Sequence, residues 1–212
     1  MIPSLEPFEQ YAGRMTSPEP KVLRDLKIET YRSRSFPQMI AGPLQGRFLA
    51  MLAKISGARR ILEIGTFVGY SALCFAEALP AGGSVVTLDS DPTIRPIAEK
   101  YFARVPYGRK IRILIGRALD LLPKIPGRFD LVYLDADKPN YGRYYEAVLP
   151  KISKGGLILA DNIFWSGAVL KRQANDADTR ALRAFARKVA GDSRVETILL
   201  TIRDGLMVIR KR

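Results

Sequence analysis

From Arg60 onward, short apolar runs alternate with helix-like stretches, and this alternation most narrows the folds open to the chain. The runs are Ile61–Ile64, Ser84–Leu88, Ile111–Ile115, Leu131–Leu134 and Leu157–Ala160. They are too short for helices, and the unbroken apolar run Leu131–Leu134 is the mark of a parallel strand covered on both faces. Helical patterns fall between them, near Tyr70–Leu79, Thr93–Val105, Leu119–Lys124 and Tyr141–Val148. A strand–helix alternation of this kind predicts a doubly wound α/β sheet. Two further β-rich runs, Val195–Ile202 and Leu206–Ile209, flank Arg203-Asp204-Gly205. Asp-Gly between such runs is a hairpin signal, so the last strand should run antiparallel to its neighbour. The expectation is a seven-stranded sheet with an antiparallel C-terminal strand.

Residues 1–58 read as helices that precede this core. Ser17-Pro18-Glu19 has the form of a helix start, with Ser17 as N-cap and Pro18 at the first position. Val22, Leu23, Leu26 and Ile28 then offer an apolar face. Another helix spans roughly Leu44 to Ile55 and closes at Ser56-Gly57. No repeat, low-complexity tract or linker divides the chain. The expected organisation is one domain over 1–212, with an N-terminal helical cap at 1–58 and an α/β core at 59–212. The irregular stretch from Asn162 to about Asn175 is a candidate lid, and a helix is expected near Asp178–Val189.

Composition removes several kinds of chemistry. The 212 residues contain no histidine, which excludes the Ser-His-Asp hydrolases and His-ligated zinc centres. Any acid–base step must use Lys, Asp, Glu or Tyr. The single cysteine, Cys74, allows no intrachain disulfide and falls in a predicted helix, where core packing is expected. No apolar run is long enough to cross a membrane, and residues 1–6 lack the features of a signal peptide. A cytoplasmic protein is expected. The net charge of +13 is spread toward both ends of the chain. A basic surface can attract nucleic acid or phosphorylated substrates; a soluble basic enzyme is the plainer reading.

In an open α/β sheet, ligands bind beyond the carboxyl ends of the strands, and here those ends carry the charges. The run ending at Leu134 leads into Asp135-Ala136-Asp137-Lys138, and the run ending at Ala160 leads into Asp161-Asn162. If the two strands are neighbours, Asp135, Asp161 and Asn162 converge beside Lys138. Two carboxylates and an amide suit a hard divalent ion, Mg²⁺ first. Taken singly, each has an ordinary alternative: a helix cap for Asp135, a turn for Asp161-Asn162, a solvated surface lysine for Lys138. At the other strand ends stand Glu63-Ile64-Gly65-Thr66-Phe67-Val68-Gly69-Tyr70-Ser71, then Asp89, then Gly116-Arg117-Ala118. The glycine turn is neither a G-x-G-x-x-G dinucleotide fingerprint nor a P-loop. An acidic residue at the second strand end can accept from both hydroxyls of a ribose. Together these predict a nucleoside ligand without a phosphate cradle, although Asp89 could instead cap the helix entered at Pro92.

The ordered set Glu63-x-Gly65-x-x-x-Gly69-Tyr70-Ser71, Asp89, Asp135-x-x-Lys138 and Asp161-Asn162 resembles the class I S-adenosylmethionine (SAM) methyltransferases. More closely, it is similar to the cation-dependent O-methyltransferases, the group of catechol and caffeoyl-CoA O-methyltransferases. The segments 135–146 and 155–165 resemble the bacterial members most, and the likeness runs over about residues 30–212. The resemblance implies a Rossmann-like fold, a SAM methyl donor, Mg²⁺ or a similar divalent cation, a small phenolic acceptor and a homodimer. It implies that Glu63, Gly65, Thr66 and Ser71 surround the methionine part of SAM. Asp89 would bind the ribose, Ala118 would lie by the adenine, and Met39 and Ala41 would cover the cofactor. Asp135 would serve both cofactor and metal, with Asp161 and Asn162 completing the metal set and Lys138 acting as base. Some bacterial relatives methylate a hydroxylated wobble uridine, so tRNA is a second acceptor class. The basic set Arg104, Arg109, Lys110, Arg112 and Arg117 fits it. A non-catalytic SAM-binding protein is the third reading, and retention of all four charged-site residues argues against it.

Overall fold

The computed structural model describes residues 6–212; the terminal Met1–Leu5, part of the segment read as lacking a leader, lies outside them. Three helices come first: α1 (Glu6–Met15), α2 (Lys21–Ser33) and α3 (Pro43–Ile55). The alternation then runs β1 (Arg60–Ile64), α4 (Tyr70–Ala78), β2 (Ser84–Asp89), α5 (Arg95–Phe102), β3 (Ile111–Ile115), α6 (Ala118–Leu121), β4 (Phe129–Leu134), α7 (Tyr141–Val148) and β5 (Ile152–Ala160). It ends with α8 (Ala177–Ala190), β6 (Val195–Leu200) and β7 (Leu206–Lys211). Among the described residues, no helix is long and apolar enough to cross a membrane.

The strands form one seven-stranded sheet in the order β3-β2-β1-β4-β5-β7-β6. β1 to β5 pair in parallel, and β7 runs antiparallel to both β5 and β6. The chain winds outward from β1 to β3, then returns to build β4 on the other side of β1. That reversal opens a crevice at the carboxyl ends of β1 and β4, where α/β sheets hold ligands. The register lines up the residues that follow the strands. Gly65 donates its backbone N–H to Leu88 at 2.9 Å, Asp135 to Ile64 at 2.9 Å, and Asp161 to Leu134 at 2.9 Å. The ladder thus continues one step past β1, β4 and β5 and sets their chemical residues on one rim.

Alternation along the strands divides the core in two. Ile61, Leu131 and Tyr133 face the layer made by α2 to α5, while Leu62, Val132 and Leu134 face α6, α7 and α8. Cys74 is fully buried in the first layer, as its helix position predicts.

Four expectations are corrected. α2 starts at Lys21, with Pro20 extended (φ −55°, ψ 149°), rather than at Pro18. A residue before proline is disfavoured in the helical region, so Glu19 cannot enter a helix that Pro20 follows. The buried stripe of α2 is Val22, Leu23, Leu26 and Thr30, and Ile28 is exposed; two residues beyond Leu26, it points to the opposite side. α5 stops at Phe102, short of Val105, because Val105 precedes Pro106 and is extended. β6 stops at Leu200 rather than Ile202, so the link to β7 spans Thr201–Gly205 rather than Arg203–Gly205. A Cβ on Gly205 would lie 2.7 Å from the Phe164 ring.

Candidate active site

The crevice holds a cavity of about 1200 Å³. It is lined by Met39, Ala41, Gly65, Thr66, Ser71, Asp89, Ala118, Asp135, Lys138, Asp161 and Asn162. Of the residues that sequence reasoning assigned to cofactor, metal or catalysis, only Glu63 lies outside this lining. It sits beneath, fully buried, with one carboxylate oxygen accepting from the Thr87 hydroxyl and the other, Oε1, without a partner. Burial pushes its carboxyl up to about 8, against the opposing pull of the nearby Ser71 and Thr87 hydroxyls. A buried orphan oxygen just under the Gly65–Thr66 turn is an acceptor in want of a donor. The ammonium of a methionine-like ligand has the chemistry to satisfy it.

The cofactor side is held mostly by backbone. Asp89 Oδ2 accepts from the N–H groups of Thr66 (3.0 Å) and Phe67 (2.9 Å), and Oδ1 accepts from Asp91 (3.0 Å). Asp89 therefore braces the turn after β1. The helix-cap role falls to Asp91, which accepts from the Thr93 N–H at 2.8 Å. A carboxylate has about four lone-pair positions, so Asp89 keeps room for a ribose hydroxyl on Oδ1. The glycines serve the protein first. At Gly65 (φ 102°) a Cβ would come within 1.8 Å of the Asp135 carbonyl oxygen. At Gly69 (φ 82°) it would meet the Phe102 ring at 2.6 Å.

The other side is held by side chains. Lys138 is 5% exposed. Its Nζ donates to Asp135 Oδ1 (3.2 Å), Asn162 Oδ1 (3.0 Å) and the Tyr141 hydroxyl (2.7 Å). It also lies 5.6 Å from the centre of the Trp165 ring. The surface-lysine alternative is thereby removed. Tyr141 is fully buried and its hydroxyl donates to the Asp161 carbonyl at 3.0 Å. Asn162 adopts φ 57°, in the left-handed region that non-glycine residues seldom occupy. Asp161, 2% exposed, accepts on Oδ1 from the Asn162 N–H (2.8 Å) and on Oδ2 from Tyr133 and Gln45. Asp137 stands where a helix cap would, yet its carboxylate takes the Tyr144 hydroxyl and the Asn140 amide.

The donor set fits a hard cation. Oxygens of Asp135 and Asn162 already converge on one positive charge, the Lys138 ammonium. Asp161 has three of its four lone-pair positions taken and one left. Burial, together with the Asp161 carboxylate, raises the Asp135 carboxyl to about 6 despite Lys138. Among the described residues no three His, Cys, Asp or Glu side chains are grouped as a metal site; the set here is two carboxylates and an amide.

Sequence reasoning missed Gln45, Tyr133, Tyr141 and Arg203. Gln45 carried a signal: it lies on the buried stripe of α3 with Leu49 and Ala53, and a polar residue there needs a partner. Tyr141 follows Lys138 by three residues, so both can face one way. Arg203, in the β6–β7 link, carried no signal. The stretch after Asn162 is irregular, as expected, but pinned. The Arg183 guanidinium donates to the carbonyls of Val169 (2.9 Å), Ala174 (2.8 Å), Ala168 (3.0 Å) and Lys171 (2.5 Å).

Known proteins are similar to this chain in sequence and fold. The sequence profile of a family described as O-methyltransferase matches residues 14–212. A catechol O-methyltransferase from Niastella koreensis is 35% identical over 168 residues, covering 77% of this chain and 76% of that protein. Caffeoyl-CoA O-methyltransferase 1 from Zea mays is 33% identical over 207 residues, covering 91% and 79%. The SAM complex of the O-methyltransferase TomG from Streptomyces achromogenes superposes with a TM-score of 0.89 at 30% identity, covering 97% of this chain and 96% of that one.

Proposed function

The chain belongs to the O-methyltransferase family, a SAM-dependent transferase of the catechol and caffeoyl-CoA type, and from that premise we propose that it methylates one hydroxyl of an ortho-dihydroxy aromatic acceptor. The observation that carries this reading is the meeting of Asp135 and Asn162 oxygens on Lys138 Nζ, at the rim where cofactor and acceptor would abut. Asp135, Asp161 and Asn162 would hold the cation, Mg²⁺ or one like it. A bound divalent ion supplies Lewis-acid stabilisation of a phenolate and a template for two adjacent oxygens.

The chemistry explains why a base is needed. A phenol with a pKa near 10 is ionised in about one molecule per thousand at pH 7, a deficit of about 4 kcal/mol. Lys138 Nζ, fixed by Tyr141, is the group that would take the phenolic proton, in the neutral-amine form that a cation held beside it would favour. The freed oxygen attacks the methyl carbon, the carbon–sulfur bond breaks, and the donor leaves as a thioether. Glu63, Thr66, Ser71 and Asp89 would hold the donor, with Ala118 beside the base and Met39 and Ala41 over it. Holding both reactants at one rim supplies alignment.

A vicinal diol offers two oxygens to one hard ion, whereas a single phenol rotates about one. Catechol-type acceptors are therefore expected to exceed matched monohydroxy compounds by about 100-fold in kcat/KM, or ~2.7 kcal/mol. The test is methyl transfer from labelled SAM to 3,4-dihydroxy- and 4-hydroxy-cinnamoyl acceptors, to caffeoyl-CoA and to bulk tRNA, with Mg²⁺ and with excess chelator. Transfer that survives the chelator overturns the cation; equal rates overturn the diol; methylation of tRNA alone moves the acceptor class. The phenolic class is preferred because two members of the basic set are spent internally. Arg104 pairs with Asp25, and Lys110 binds the carbonyls of Ala76 and Leu79.

A homodimer and a cytoplasmic location complete the reading. Phe8, Tyr11 and Met15 form an exposed apolar stripe on α1, with Met51 and Ile55 exposed on α3. Light scattering at micromolar concentration should give twice the chain mass; the mass of one chain would count against the dimer.

A further inference from the structure

Gln45 and Arg203 have no role in the scheme above, yet Arg203, on the cavity wall, reaches the buried carboxylate of Asp161 through Gln45. Gln45 is 1% exposed. Its Nε2 donates to Asp161 Oδ2 and to the Tyr133 hydroxyl at 3.1 Å, and its Oε1 accepts from Arg203 Nη1 at 3.0 Å. A carboxamide can present either end, but a guanidinium only donates. Arg203 therefore fixes which end of Gln45 faces Asp161. The same Nη1 donates to the carbonyls of Ile40 (3.1 Å) and Ala41, which line the cavity. The Arg203 backbone N–H donates to Glu9 Oε1 at 2.8 Å. The residue is held at φ 47°, a conformation that costs free energy for any residue with a side chain. Four separate contacts hold Arg203 in that conformation.

We propose that Gln45 and Arg203 are positioning residues that orient Asp161 as a cation ligand, and that they tie its orientation to the segment covering the cofactor and to the N-terminal helices. The proposal rests on the cation reading above. With the relay broken, Tyr133 alone would hold Asp161 Oδ2, and the carboxylate could turn away from Asp135 and Asn162. Groups that orient a metal ligand without touching the metal commonly change its affinity by ~10–100-fold.

The experiment is Mn²⁺ binding to the whole protein, followed by calorimetry and by quenching of Trp165, the single tryptophan. Arg203→Met and Gln45→Met should each raise the Mn²⁺ Kd by ~10–100-fold, while Gln45→Met, which leaves the Arg203 contacts to Ile40 and Ala41 in place, keeps affinity for S-adenosylhomocysteine. Because the two act in series, the double variant should bind no worse than the weaker single one. Arg203→Lys, which keeps a donor, should fall between wild type and Arg203→Met. It also stands in if Arg203→Met does not fold. Unchanged Mn²⁺ affinity in the single variants overturns the relay, and so do losses that add in the double variant. A wild-type protein that binds no Mn²⁺ overturns the cation reading beneath it, whatever the variants do.

Discussion

On the β1–β3 side of the crevice, Asp89 is braced by three backbone amides, Gly65 and Gly69 sit at positive φ, and Ala118 contributes little more than a gap. On the β5 side, Lys138, Asp135, Asn162, Asp161, Tyr133, Tyr141 and Gln45 hold one another through side chains. A backbone-built site recognises a constant ligand with few residue types. A side-chain-built site places charge within a few tenths of an ångström, at the cost of burying groups that need every partner. The first should bind firmly and tolerate small losses; the second should fail sharply when one member goes.

Removing Lys138 is the strongest way to break that contrast. Lys138→Ala should lower kcat by ~10²–10⁴-fold, the usual worth of a positioned base, with S-adenosylhomocysteine affinity nearly unchanged. A parallel loss of cofactor affinity in calorimetry would show that the two sides are not separable. Next in size, Asp89→Ala should weaken SAM by ~1.5–3 kcal/mol, the scale of a charge-assisted hydrogen bond. Part of that loss is the freed Thr66 and Phe67 amides. Asp89→Asn, which keeps an acceptor, should lose less, and equal losses would make the carboxylate charge the whole effect.

A third test sharpens the picture beneath the turn. Glu63 has an ordinary value of 4.5, and burial lifts it to about 8 in the folded protein. Between those values the folded state keeps a proton that the unfolded chain releases. Stability should therefore fall as pH rises from about 4.5 to about 8. Asp135, raised to about 6, adds to the lower part of that fall. Glu63→Gln should flatten the slope in chemical denaturation at pH ~5 and ~8. An unchanged slope would assign the pH dependence to other groups.

The contrast also explains what could be read from the chain. Strand ends were legible because unbroken apolar runs leave little choice of structure, and Asp135, Asp161 and Asn162 follow such runs directly. Their convergence needed only that β4 and β5 be neighbours. Gln45 and Arg203 lie far away in the chain, and no local pattern joins a glutamine in α3 to an arginine in a β-hairpin. The start of α2 failed for a nearer reason: Ser17-Pro18 is a good cap on its own, and Pro20 two residues later overrides it. Thus residues fixed by sheet register were readable, and residues fixed by the packing of remote segments were not.

The contact between Gly65 and the Asp135 carbonyl has a consequence for anyone engineering this enzyme. The two halves meet there so closely that even one methyl group has nowhere to go. A substitution at this glycine would be scored by its place in the sequence as damage to donor recognition. What it would physically do is push the β4 end outward and carry Asp135 and Lys138 with it. Retuning the donor by widening this turn would therefore detune the acceptor chemistry in the same stroke, and selection for a bulkier donor should leave this position untouched and change residues farther along the cavity wall.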